Sequence, residues 1–127
     1  MRLGLDADEV LTTTRSVRKR LDLERPVERE VIEECLDIAL QAPTGSNAQG
    51  WQWVFVTDPE KKKVIADFYG ANYDKYTNRP DQPQYGVDDP RTAQRPKIMD
   101  SSRYLREIFH QVPVMMIPCI QGQGRLD

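Results

Sequence analysis

Two short stretches carry side chains whose types and spacing could do chemistry. In Arg15-Ser16-Val17-Arg18, two guanidiniums flank a hydroxyl. A guanidinium offers a planar fork of donors suited to phosphate oxygens, and serine adds a hydroxyl and a backbone N–H. Lys19, Arg20 and Arg25 follow closely, so residues 15–25 concentrate five basic side chains. Taken alone, this stretch reads first as a solvated basic surface. The second stretch is Pro43-Thr44-Gly45-Ser46-Asn47-Ala48-Gln49. Its small residues let a flat ligand approach the backbone, and its amides and hydroxyls supply the donors and acceptors that the edge of a heterocycle needs. Taken alone, it reads first as an ordinary helix-to-strand loop.

The other reactive side chains point to packing. Trp51, Trp53 and Phe55 alternate and read as core. Cys35 falls on an apolar helix stripe and Cys119 in an apolar strand, so both are expected to be inert core thiols. His110, the one histidine, sits at a helix end and reads as a half-exposed dipole partner. No Ser/His/Asp or Cys/His grouping supports side-chain nucleophilic catalysis, and no ligand cluster supports a metal site. The expectation is no catalytic side chain and no metal. If the chain is an enzyme, a cofactor carries its chemistry and the protein binds and orients.

Periodicity supplies the elements that must position these residues. Asp6 caps a short helix over 6–14. Pro26 opens a helix over 27–42, with Val27, Val31, Ile32, Cys35, Leu36, Ala39 and Leu40 as one buried stripe, and Pro43 stops it. Residues 51–57 read as a strand covered on both faces. Asp58-Pro59-Glu60 opens a helix carrying Val64, Ile65, Phe68 and Tyr69, with Gly70 as its stop. Residues 71–98, with four prolines and almost no aliphatics, read as a lid, binding loop or disordered insert. Asp100 or Ser101 caps a last helix to about His110, with Tyr104, Leu105, Ile108 and Phe109 inward, and 112–120 is a second strand. The order is α-α-β-α-loop-α-β. Two strands cover so many amphipathic helices poorly, so the sheet reads as incomplete.

Composition limits the function classes. The chain has 127 residues, 39% hydrophobic and 30% charged, with 18 basic against 20 acidic side chains. Such balance argues against general nucleic-acid binding and a polybasic membrane anchor, and no apolar run is long enough for a membrane span. With two cysteines and no secretory leader in Met1–Val10, a reducing, cytoplasmic setting is expected.

Taken in order, TTTRSVRKRL, PVEREVIEECLDIALQ and APTGSNAQGWQWVFVTD resemble the amino-terminal half of the nitroreductase family of FMN-dependent oxidoreductases. VPVMMIPC is similar to a central strand of that family. The resemblance implies an α+β fold, a partial α/β/α sandwich with helices around a mainly antiparallel sheet. It implies one domain over 1–127, truncated, with 71–98 as a variable lid. Arg15, Ser16 and Arg18 would hold the FMN phosphate and ribityl chain. Pro43, Thr44, Gly45, Ser46, Asn47 and Gln49 would line the isoalloxazine from the partner subunit of a homodimer. NAD(P)H would be the electron donor, and a nitroaromatic or quinone the small-molecule acceptor. Thr14 stands where the family usually has a basic residue, and Gly45 where serine is frequent. The alternative is a catalytically incomplete half-site or interaction module.

Overall fold

Capping chemistry fixes most of the helix starts. The computed structural model describes residues 4–121. Helix α1, Ala7–Thr13, opens on a capping box: the Glu9 N–H donates to Asp6 Oδ1 at 2.8 Å and the Asp6 N–H to Glu9 Oε2 at 3.0 Å. Helix α2 is Arg29–Ala39, shorter at both ends than periodicity suggests. A 3-10 turn, Gly45–Asn47, leads to β1, Trp51–Val56. Helix α3, Pro59–Thr77, is capped by Asp58, which accepts from the Lys61 N–H at 2.9 Å. Helix α4, Pro90–Ile108, is capped by Asp89, which accepts from the Arg91 N–H at 2.9 Å. A second 3-10 turn, Phe109–Gln111, leads to β2, Met115–Ile120.

The two strands pair antiparallel, from Trp51 opposite Ile120 to Val56 opposite Met115. Proline is tolerated at Pro118 because each strand of a two-stranded ribbon has a free edge. Val56, Ala66 and Met115 form the core, with Ile65, Phe109 and Val112 packed around them. Tyr69 meets Phe109 at a ring separation of 4.7 Å. Helices α3 and α4 are joined by a two-pronged ion pair, Arg106 Nε to Asp74 Oδ1 at 3.0 Å and Nη2 to Oδ2 at 2.6 Å. The Tyr73 and Ser102 hydroxyls also meet at 3.1 Å.

The α+β order is the expected one, but several boundaries and faces differ. Gly70 does not stop α3. It is a buried mid-helix residue where the Arg106 guanidinium passes close by. Asp100 does not open α4 either, because Asp89-Pro90 does so eleven residues earlier. Only 78–89, not 71–98, lies outside the helices. Helix α2 buries none of its residues, Cys35 and Cys119 are both exposed, and Val54 is 47% exposed on the β1 face expected to be covered. On α3 the inward line is Lys62, Ala66 and Gly70, while Val64 and Phe68 face outward.

The differences in burial share one cause. The accessible surface is 10937 Å². A globular monomer of 14.7 kDa exposes about 6,900 Å². The apolar stripes that periodicity marks as core are real, but the described residues supply little to cover them.

Candidate functional site

The basic corner is set by the end of α1 and by a tether to α4. Among the described residues, the Arg15 guanidinium donates to the Thr14 carbonyl, at 2.7 Å through Nη1. Ser16 is exposed, and Arg18 is half-buried. Lys19 pairs with Asp100 of α4, and that ammonium holds the Asp100 carboxyl below the usual carboxylate range. The segment is thereby held beside α4 by its lysine while its arginines remain available. Among the described residues, Arg15 and Arg18 have no carboxylate partner, whereas Arg29, Arg79, Arg91 and Arg106 each have one. An arginine pair without acids beside it is the donor set an incoming phosphate needs.

The small-residue bend is organised by Thr44. Its carbonyl accepts from the Asn47 N–H at 3.0 Å, and its hydroxyl accepts from the Gln49 N–H at 3.1 Å. Between them the chain takes left-handed backbone at Ser46 (φ 52), Asn47 (φ 52) and Gln49 (φ 49). Left-handed backbone costs non-glycine residues about 1 kcal/mol each, less for asparagine, and is commonly kept where a ligand is bound. The Gln49 amide donates to Asn47 Oδ1 at 2.9 Å, which leaves the Asn47 NH₂ and the Gln49 carbonyl free to meet a ligand edge. Gly45 has open space where a side chain would stand. The bend is joined to the sheet by the Gln121 N–H, which donates to the Gly50 carbonyl at 2.8 Å.

Within one chain, Arg18 and the start of the bend line different cavities. Arg18 lines a cavity of about 630 Å³ between α3 and α4. Pro43, Thr44 and Gly45 line a separate cavity with Trp51, Ile120 and Gln121 at the end of the sheet. His110 is exposed on the second 3-10 turn. Among the described residues no cluster could hold a metal ion, and no helix is long and apolar enough to cross a membrane.

Sequence reasoning missed Tyr73, Tyr76, Tyr85, Arg91 and Arg95 of the α3–α4 cavity. Tyr69, Tyr73 and Tyr76 recur at spacings of four and three, one face of a helix. That signal was masked by the prolines that follow. It also missed buried Lys62, whose ammonium donates to the Val112 carbonyl at 2.6 Å.

Comparison with known proteins gives a family match and similar solved structures. The model of the nitroreductase family matches residues 11–125. Among solved structures, the chain is similar to NfnB, an FMN- and NADPH-dependent nitroreductase from sphigopyxis sp. strain HMH. The identity is 25% over 90% of this chain and 59% of that one, with a TM-score of 0.54. Two variants of NfnB, each with one tyrosine replaced, give 26% identity. One covers 90% of this chain and 58% of that one (TM-score 0.53), and the other 94% and 62% (TM-score 0.55). No curated protein sequence matches. The chain thus spans about three-fifths of the length of these solved relatives.

Proposed function

Because the chain belongs to the nitroreductase family, we propose that it builds half-sites of an FMN-dependent oxidoreductase. The match across residues 11–125 carries this reading. The chemistry of the donor set fits the cofactor: two arginines with no carboxylate partner among the described residues for a phosphate, and a small-residue bend with amide groups for a flat ring. FMN, when bound, supplies the hydride chemistry by which NAD(P)H reduces a nitroaromatic or quinone.

The chain's own residues bind and orient. Arg15 and Arg18 neutralise the phosphate with forked donors, and the Ser16 hydroxyl adds a third contact. Thr44 holds the bend in its left-handed form before any ligand arrives, so the Ser46, Asn47 and Gln49 side chains are already placed. Pro43 and Gly45 keep that approach open. The corner and the bend line different cavities of one chain, which supports a homodimer in which each copy lends its bend to the other's arginines. We take residues 1–127 as one domain, with 78–89 as its variable cover, acting in the cytoplasm.

The test is the visible spectrum of the purified protein. Flavin bands, present at isolation or gained on adding FMN, are expected. Colourless protein that gains none overturns the reading. The large exposed surface favours a second reading, in which this chain is an incomplete half-site that docks on further sheet. Tight FMN binding by the 127-residue chain as a monomer would exclude that.

A further inference from the structure

The α3–α4 cavity has a chemistry of its own. It measures about 630 Å³, within the range of small-molecule sites. Four of the chain's five tyrosines line it: Tyr69, Tyr73, Tyr76 and Tyr85. Arg18, Arg91 and Arg95 also line it, and no aspartate or glutamate does, in a chain whose net charge is -2. The three arginines are not equivalent. Arg91 is neutralised by Asp89, with Nη2 to Oδ2 at 2.6 Å and Nε to Oδ1 at 2.9 Å, and its guanidinium lies 4.3 Å from the Tyr85 ring centre. Arg18 is assigned above to the phosphate corner. Arg95 is half-buried, and its partners are neutral: the Pro83 carbonyl and, at 3.4 Å, Gln82 Oε1. Those contacts fix its guanidinium in the wall without cancelling its charge.

We propose that this cavity binds a planar aromatic ring bearing one carboxylate, the ring against the tyrosines and the carboxylate on Arg95. Tyrosine faces offer broad, stiff apolar contact to a ring, and Arg95 is an uncompensated guanidinium in that wall to which the phosphate corner gives no role. The site lies within one chain and shares Arg18 with the proposed phosphate corner, so it is tested on flavin-free protein.

The experiment is calorimetric titration of the flavin-free, full 127-residue chain with 4-nitrobenzoate and with nitrobenzene. Nitrobenzoate is expected to bind at least about tenfold more tightly than the neutral ring, the worth of one charge-assisted hydrogen bond. Arg95→Gln leaves a polar amide in the wall but removes the charge. Gln94→Glu adds a carboxylate to the lining and removes no hydrogen bond that holds the wall. Each should weaken nitrobenzoate about tenfold, with circular dichroism confirming that the fold is kept. No nitrobenzoate binding by the wild-type chain, equal affinity for the two rings, or unchanged nitrobenzoate affinity in either folded variant overturns the proposal. The visible spectrum decides the flavin reading independently.

Discussion

Lys62 allows a sharp test of how α3 holds the sheet. The residue is only 8% exposed, yet among the described residues its ammonium reaches no carboxylate. It donates instead to the carbonyls of Val112 at 2.6 Å and, more weakly, Pro113 at 3.4 Å, just before β2. Lys62→Met keeps the length and the apolar stem and removes the donor. A hydrogen bond from a charged donor contributes about 1.5–3 kcal/mol, and an abandoned buried carbonyl adds its own penalty. Against this, the variant no longer keeps an ammonium out of water. The balance is a loss of about 1–2 kcal/mol, or roughly 3–10 °C in Tm at this chain length. Urea unfolding followed by circular dichroism, with the m-value unchanged, measures it. If Lys62→Met is as stable as the wild type, or more so, the ammonium is a burden that the fold tolerates and the clamp argument is wrong. The clamp also bears on the bend. Val112 precedes the strand whose far end, Ile120–Gln121, is paired with Trp51 and Gly50, and a slip of one residue there would turn every β2 side chain to the opposite face.

Further outcomes follow from the same contacts. Gly70→Ala should stabilise the chain by about 0.5–1 kcal/mol in the same urea assay, because a methyl there meets the Arg106 guanidinium at an ordinary 3.6 Å and glycine is a poor helix residue. Stability should fall as pH drops below about 4. The carboxyls of Asp74 and Asp89 lie below their usual range because Arg106 and Arg91 bond to them, so their contribution is complete above the unfolded carboxylate value and is lost as pH falls through the lower folded value. Asp74→Asn should flatten that acid slope, read from urea midpoints across pH. Arg15→Gln and Arg18→Gln should each weaken FMN about tenfold in a flavin-fluorescence titration, if a charge-assisted phosphate contact is what they make.

What was legible in the sequence was whatever local chemistry decides. Asp6 with Glu9, Asp58 with Pro59, and Pro43 after α2 each mark a helix end through capping or a missing donor, and the ends lie at or near those marks. The boundary that failed at Gly70 failed for a tertiary reason. A glycine inside a helix is destabilising by roughly 1 kcal/mol, so it reads as a stop until the Arg106–Asp74 pair crossing beside it is known. The 71–98 segment misled in the same way. Its prolines look like breakers, yet Pro90 sits in a first helical turn and Pro96 lies inside α4. Burial was least legible, because periodicity identifies the apolar face of α2 but not what lies against it. Cys35 and Ile38 are on or beside that stripe and both face outward.

The uncovered surface and the strained bend meet at one end of the molecule. Ala39 of α2, Trp51 and Trp53 of β1, and Pro118, Cys119 and Ile120 of β2 line an apolar recess, and Trp51 and Ile120 also line the cavity of the bend. The indole N–H of Trp53 is buried there without an acceptor, which costs about 1–3 kcal/mol. An isolated domain of marginal stability gains nothing from three left-handed residues, an orphaned donor and open apolar walls in one place. The left-handed bend and the open walls become tolerable if further surface closes over that end and supplies contacts that the chain lacks. A second copy bringing its arginine corner to this end, with a flat cofactor between, would do so. The same closure would give Arg15 and Arg18, which have no carboxylate partner among the described residues, an anion to meet.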